Sequence, residues 1–160
     1  MKRKQPANKV VGVRFTELGK LYHFDASNVP DVKTGDYVIV STSRGRELGK
    51  IVDEPEKPPK PSEGSWKQVE RKATARELVM QRTWQKREQE ELEACREEVS
   101  RQGLESLKIA KAEYSYDGAR LTFLYHIEGE EKVELKKLHS NLRKSHRNIR
   151  IELRQIGPRD

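Results

Sequence analysis

Five cationic side chains in the last thirty residues have the chemistry to hold phosphate groups. They are Lys136, Arg143, Arg147, Arg150 and Arg154. The first three fall within an arc of about 40° on a predicted helix, and the last two point outward from the strand that follows. Arginine offers planar, bidentate donors to a phosphate, and lysine offers a point charge. If helix and strand pack together, the five side chains form one patch suited to a nucleic-acid backbone.

The same pattern also suits a solvated charged surface, because Glu134 and Glu152 lie among these cations. Surface charges of mixed sign are common and need no ligand. The residues alone leave both interpretations open.

A second candidate for nucleic-acid contact is a predicted hairpin tip that carries Arg44 and Arg46. Aromatic residues occur near it in the sequence, as in proteins that stack the bases of single-stranded RNA. Phe24 and Tyr37, however, fall within predicted strands of a small domain, which favours a place in its hydrophobic core over base stacking. The arginines are therefore the stronger candidates in this part of the chain.

Metal ligation and catalysis have little support in the residue pattern. His139 and His146 lie two helical turns apart, about 10 Å along the axis, which is too far for two ligands of one ion. Cys95 falls on the apolar stripe of a predicted helix and is interpreted as a small buried hydrophobe. The sequence has no Gly-rich phosphate loop, nucleophile elbow or H-E-x-x-H motif. We expect a protein that is not an enzyme and that binds no metal or cofactor.

The charge of the chain favours a polyanionic partner. The net charge is +7 over 160 residues, with an excess of +4 in residues 1–60, −1 in residues 61–106 and +4 in residues 107–160. Basic excess at both ends favours a partner such as RNA. A single cysteine and the lack of any apolar run near 20 residues predict a cytoplasmic protein without membrane insertion.

The N-terminal half is predicted to be a small β-structure. Residues 1–8 are polar and predicted to be disordered, and four short strands in residues 9–54 predict a β-barrel-like sheet of SH3-like or OB-like type. Residues 55–70 are rich in proline and charge, which predicts a semi-extended linker.

Residues 71–160 are predicted to form an α+β subdomain. Thr74 and Glu77 fit a capping box at the start of a long helix, and Gly103 fits its end. The predicted elements are that helix (74–102), a hairpin (107–127), a second helix (132–147) and a last strand (149–156). The fold class is therefore α+β, with a barrel-like first half followed by a long helix and a ferredoxin-like second half.

Five phrases of the sequence occur in the order and at the spacing of a known family. They are VVGVRFTELGKLYHFDA (Val10–Ala26), GDYVIVSTSRGRELGKIV (Gly35–Val52), RKATARE (Arg71–Glu77), AEYSYDGARLTFLY (Ala112–Tyr125) and IRIELRQIGPRD (Ile149–Asp160). The sequence resembles the RicT/YaaT family, bacterial proteins that share the polymerase-suppressor (PSP) C-terminal domain. The similarity is weakest over Leu124–Leu138.

The resemblance implies a regulatory adaptor in RNA metabolism, competence and sporulation, without catalytic activity. It implies partners of three kinds: RNA, endoribonuclease Y, and small partner proteins that act with it in mRNA maturation. Iron–sulfur ligation in that family belongs to a cysteine-bearing segment beyond the last strand, and the sequence ends at Asp160 without such a segment. We therefore expect no cluster in this chain. A protein scaffold that does not bind RNA is the alternative, and a cryptic nuclease is a weaker third.

Overall fold

A computed structural model describes residues 9–16, 19–61 and 64–157 of the chain. The chain forms two compact units, one ending at Thr74 and the other beginning at Ala75. The first unit is a curled sheet and the second combines a sheet with two helices, which confirms the α+β fold class. The predicted disordered tail, residues 1–8, lies outside the described residues.

The first unit is an antiparallel five-stranded sheet in the order β2-β1-β4-β3-β5. Its strands are β1 (Val10–Arg14), β2 (Tyr22–Asp25), β3 (Tyr37–Thr42), β4 (Gly45–Asp53) and β5 (Val69–Lys72). Valine and isoleucine side chains at alternate positions point to one face and form the core, as period-two patterning requires. The core includes Val11, Val13, Phe24, Val38, Val40, Ile51 and Val69.

The two edges of this sheet meet at one point. The Asp25 amide in β2 donates to the Lys67 carbonyl at 2.8 Å, and Asp25 forms an isolated parallel bridge with Gln68, just before β5. Joining the edges covers backbone groups that an open sheet would leave exposed. The barrel-like character of this unit follows from that closure.

The structure corrects the predicted linker over residues 55–70. Its last two residues begin β5, which pairs with β3, so the first unit has five strands and not four. The Trp66 indole donates to the Pro59 carbonyl at 2.8 Å and its ring lies 5.5 Å from that of His23. These contacts tie the segment to β2, so it is not a free spacer.

The second unit packs two helices on one face of a three-stranded sheet of order β6-β7-β8. Its elements are α1 (Ala75–Arg101), β6 (Leu107–Tyr114), β7 (Arg120–Ile127), α2 (Lys136–Ser145) and β8 (Arg150–Gln155). β6 and β7 are an antiparallel hairpin, and β8 runs parallel to β7. In a ferredoxin-like sandwich another strand separates the two strands of such a crossover. Here β7 and β8 are direct neighbours, and the described residues provide no strand between them.

α1 begins directly after Thr74 and ends in a Schellman motif. Gly103 adopts φ +69°, and the Leu104 amide donates to the Val99 carbonyl at 3.2 Å. Only glycine adopts that backbone conformation at little cost, which is why the helix stops there. Its buried residues Leu92, Cys95 and Val99 are the stripe that the sequence predicts.

α2 is shorter than the predicted helix over residues 132–147. At its start Leu135 occupies the N-cap without a side-chain cap. At its end the His146 ring Nδ1 lies 2.7 Å from the Leu142 carbonyl, and His146 leaves helical geometry at φ −129°, ψ 77°. The ring nitrogen thus satisfies one of the last carbonyl groups of the helix in place of a backbone amide, and the helix ends at Ser145.

Candidate nucleic-acid interface

α2 and the turn after it carry five exposed cations, which we call the α2 cations. They are Lys136, Lys137, Arg143, Lys144 and Arg147. No Asp or Glu occurs between the first and the last of them. Within the described ranges, none of the five forms an ion pair with a carboxylate. Their charge is therefore directed to solvent or to a ligand.

The position of these cations follows from the apolar face of α2. Leu138 and Leu142 are buried in the core, and Leu135 packs against it, as the sequence predicts. Lys136 and Arg143 are seven residues apart, as are Lys137 and Lys144, so each pair repeats on one side of the helix. The two pairs cover the sides of α2 that turn away from the core.

α1 holds α2 in place through two carboxylates. The Glu98 carboxylate accepts from Asn141 Nδ2 at 3.0 Å, and the Glu91 carboxylate lies 2.9 Å from His146 Nε2. The Tyr114 hydroxyl in β6 also donates to Glu91. These groups are partly buried and hydrogen-bonded across the two helices, so they hold α2, and with it the cationic surface, against α1.

Hydrogen bonding shifts the pKa of one of these carboxyls. Donors from Gln102, at 2.7 Å, and from Asn141 hold the pKa of Glu98 below its usual value. Glu98 therefore remains charged through the neutral range and keeps its contact with α2.

Arg147 does not share the arc that the sequence predicts for it. α2 ends two residues earlier, and Arg147 lies in the turn before Asn148, which has φ +65°. It stays exposed beside the C-terminal end of α2, where positive charge is favoured by the helix dipole.

The structure places Arg150 and Arg154 on the side of the sheet opposite α2. They alternate along β8 with Ile151, which is in the core, so their side chains belong to the outer face. We define the outer face as the side chains of Lys108, Lys111, Glu113, Arg120, Thr122, Leu124, Arg150, Glu152 and Arg154. Arg150 Nε lies 3.5 Å from the Glu152 carboxylate, which partly neutralises the charge of Arg150. The five predicted cations therefore divide into three beside α2 and two on the outer face.

Arg44 and Arg46 belong to the first unit. Arg44 is in the tight turn between β3 and β4, where its amide donates to Thr42 Oγ1 at 3.1 Å. Arg46 Nε lies 3.1 Å from the Glu70 carboxylate in the segment that includes β5. The predicted hairpin is present, and the charge of Arg46 is paired.

Sequence reasoning missed Lys137 and Lys144. Both are exposed and belong to the same acid-free segment as the predicted cations. A signal for them was present, because twelve consecutive residues that contain five Lys or Arg and no carboxylate are visible without any structure. The prediction followed one helical arc and therefore left out the neighbouring one.

Among the residues that the structure describes, the side chains do not suit an iron–sulfur cluster or a metal ion. The one cysteine of the chain, Cys95, is buried in the core, and burial raises the pKa of the thiol to about 12. A cluster is held by several cysteine thiolates, and a buried protonated thiol is a poor ligand. The described residues also contain no group of three His, Cys, Asp or Glu side chains placed to hold a metal ion.

Neither helix of the described residues has the length and apolar character that crossing a bilayer requires.

Comparison with known proteins places this geometry in a family. Residues 67–156 match the PSP1 C-terminal conserved region, which includes α2, β8 and the outer face. The chain is 32% identical over 155 residues to the stage 0 sporulation protein YaaT of Bacillus subtilis (strain 168), an alignment that covers 94% of this chain and 54% of that protein. The chain thus spans about half the length of that curated relative. No solved structure matches it.

The family region covers more than half of the chain and begins two residues before β5. The similarity to YaaT extends it through the first unit. The chain belongs to the RicT/YaaT family of proteins with a PSP1 C-terminal conserved region.

Proposed function

We propose that this protein is a non-catalytic regulatory adaptor of RNA metabolism, and that the α2 cations bind the phosphates of RNA. The observation that carries the proposal is the run of five exposed cations on α2 and its C-terminal turn, without a carboxylate among them. Phosphate contacts supply most of the affinity of sequence-independent nucleic-acid binding.

The charges at the start of α2 support a ligand of negative charge. Its first turn carries Lys136 and Lys137, contains no acidic residue, and has no side-chain cap. Positive charge at a helix N-terminus opposes the helix dipole and reduces helix stability. The sequence retains two lysines there, and the two α1 carboxylates that hold α2 leave those lysines exposed to solvent.

The proposal makes a quantitative statement about salt. If all five α2 cations contact a single strand, log K should fall with log salt with a slope of about −3.5. Affinity should then drop roughly 100-fold between 50 mM and 200 mM salt. A protein scaffold without an RNA site would show neither the affinity nor the slope.

The test is binding of labelled single-stranded RNA to the full chain at several salt concentrations, measured by fluorescence anisotropy. The variant Lys136→Ala, Arg143→Ala, Arg147→Ala removes three contacts. We expect weaker binding at low salt and a slope reduced in magnitude by about 2.

A matched control removes three exposed cations from α1. The variant Arg76→Ala, Arg82→Ala, Lys86→Ala changes net charge by the same amount on a helix of the same unit. We expect it to keep the wild-type slope. An equal loss of RNA affinity in both variants, or no change in either, would show that the α2 cations are not the RNA-binding site.

The adaptor role includes the absence of catalysis. Glu91, His146 and Tyr114 form a partly buried cluster of titratable groups, and their polar atoms are hydrogen-bonded to one another and to the Leu142 carbonyl. Incubation of the protein with labelled RNA and Mg²⁺ should leave the RNA intact. Cleavage that disappears in a His146→Ala variant would overturn this part of the proposal.

The protein partners of the adaptor are those that the family resemblance suggests. We propose endoribonuclease Y and small partner proteins, with a role in mRNA maturation, competence and sporulation. Co-purification of the full chain with each partner in turn, with and without ribonuclease treatment, separates direct protein contacts from contacts that RNA bridges.

A further inference from the structure

The outer face carries its charges in rows that cross the three strands. Arg120 and Arg150 are direct register partners and form the first row. In the second row Glu113 and Glu152 flank Thr122, and in the third Lys111 and Arg154 flank Leu124. A negative row therefore lies between two positive ones.

The negative row is neutralised within the sheet. Lys111 Nζ lies 3.2 Å from the Glu113 carboxylate, and the Glu152 carboxylate lies 3.5 Å from Arg150 Nε. Arg120 Nε is 3.9 Å from Glu152. The three rows hold four cations and two carboxylates, so together they have a surplus of two positive charges. In the Lys111–Arg154 row, Lys111 shares its charge with Glu113, and Arg154 carries a surplus charge.

An apolar side chain lies in the middle of that row. Leu124 is the register partner of both Lys111 and Arg154, and it is half-buried between them. Both cations are exposed, and within the described part of the chain Arg154 forms no ion pair. Because neighbouring strands are about 4.8 Å apart, the backbones of Lys111 and Arg154 are roughly 9.5 Å from each other, and Leu124 lies midway between them.

We propose that the outer face docks an acidic amphipathic helix of a protein partner. Two carboxylates seven residues apart on a helix are separated by about 10.5 Å along its axis, which matches the span from Lys111 to Arg154. An apolar side chain of the partner helix, three or four residues after its first carboxylate, is then placed to pack against Leu124. The charges on this face complement that segment, and charge complementarity selects a partner and its register.

Leu124 favours a protein partner over RNA on this face. Its half-buried apolar side chain lies between the two cations, and a phosphate backbone offers it no apolar contact. A partner helix can place an apolar side chain against Leu124 and a neutral side chain beside the carboxylates of Glu113 and Glu152. α2 differs in this respect, since it has no carboxylate between Lys136 and Arg147.

The test uses a synthetic alanine-based helical peptide of about 20 residues, with one Leu flanked by two Glu at the stated spacing. A second peptide carries Lys in place of both Glu. Binding of each fluorescently labelled peptide to the full chain is measured by anisotropy. We expect the Glu peptide to bind the wild-type protein at least tenfold more tightly than the Lys peptide.

Charge reversal on the protein locates the site. The variant Lys111→Glu, Arg154→Glu should weaken binding of the Glu peptide at least tenfold and should bind the Lys peptide more tightly than the wild-type protein does. The control Lys137→Glu, Lys144→Glu reverses two α2 cations with the same change in net charge, and it should leave Glu-peptide binding unchanged. Circular dichroism checks that each variant is folded.

Three results would overturn the proposal. The first is equal binding of both peptides by the wild-type protein, and the second is equal loss in the control variant. The third is a loss of RNA affinity in Lys111→Glu, Arg154→Glu as large as the loss from reversing α2. Sedimentation velocity adds one more: self-association that the outer-face reversal abolishes would assign the face to a second copy of the chain.

Discussion

Glu88 shows how one residue can oppose the stability of the second unit. It lies on α1 and accepts a hydrogen bond from the Tyr114 amide at 2.7 Å, next to the packed rings of Trp84 and Tyr114. Burial raises the pKa of its carboxyl above the usual value, and the nearby charge of Glu113 adds to the shift. The charged form is therefore less stable in the folded protein than in the unfolded chain.

The direction of the pH effect follows from linkage. For an acid whose pKa is raised by folding, the folded state binds more protons, so stability falls as pH rises from the ordinary pKa of 4.5 through the folded value. We expect Glu88→Gln to increase the free energy of unfolding near pH 7 by on the order of 1 kcal/mol or less. The gain should disappear below about pH 4, where the wild-type carboxyl is protonated in both states.

Urea unfolding at several pH values measures this effect. Glu90→Gln is the matched control, because Glu90 is exposed on the same helix. Loss of stability in Glu88→Gln at neutral pH would show that the charge itself contributes to the fold.

At the scale of secondary-structure elements, the sequence predicts periodic elements well and isolated ones poorly. The leucines of α2 and the buried stripe of α1 recur with helical spacing, and the structure buries both. β5 has the sequence VERK, in which only Val69 is buried, so no alternation exists to detect, and its pairing with β3 is long-range. Its existence depends on a tertiary contact that local patterning does not contain.

The division of the predicted cations has a similar cause. Periodicity correctly assigns Arg150 and Arg154 to the outward side of β8, and Lys136 and Arg143 to a side of α2 that faces away from the core. Those two directions are opposite, because α2 packs on the inward side of β8. Whether the outward sides of a helix and a strand form one surface depends on how the two elements pack, and the sequence of either element alone does not show it.

The contact between α1 and α2 makes a prediction at this scale. Replacing Glu91 with Ala leaves His146 Nε2 and the Tyr114 hydroxyl without their acceptor. Losing one partner of half-buried polar groups costs about 1–3 kcal/mol. We expect Glu91→Ala to lower the stability of the second unit by that amount and to increase amide hydrogen exchange in residues 136–147.

Hydrogen exchange read out by mass spectrometry measures the second effect. Glu97→Ala, an exposed position on the same helix, serves as the control. If α2 exchanged at the wild-type rate in Glu91→Ala, the leucines and the hydrogen bond from Asn141 to Glu98 would hold α2 without the Glu91 contact.

At the scale of the whole molecule, the two units differ in how acid acts on them. In the first unit, hydrogen bonds from Lys72 lower the pKa of Asp31, and hydrogen bonds from Thr34 lower the pKa of Glu54. In the second unit Glu98 is lowered and Glu88 is raised. The carboxyls of the first unit therefore act in one direction, and those of the second partly oppose each other.

The chain provides a reporter for each unit, since Trp66 belongs to the first and Trp84 to the second. A carboxyl with a lowered pKa contributes stability that is present above its unfolded pKa and is lost as pH falls through the folded value. We therefore expect the melting temperature of the first unit, read from Trp66 in a Trp84→Phe variant, to fall as pH drops below about 4.5. The second unit, read from Trp84 in a Trp66→Phe variant, should be less sensitive over the same range.

Adding Asp31→Asn to the Trp84→Phe variant should flatten the pH dependence of the first unit, because the contact with Lys72 Nζ at 3.0 Å loses its charge. The contact is exposed, so high salt should reduce the difference between Asp and Asn. If the melting temperature had the same pH dependence at both tryptophans, the two units would unfold in one cooperative transition, and the carboxyls of each unit would affect the stability of both.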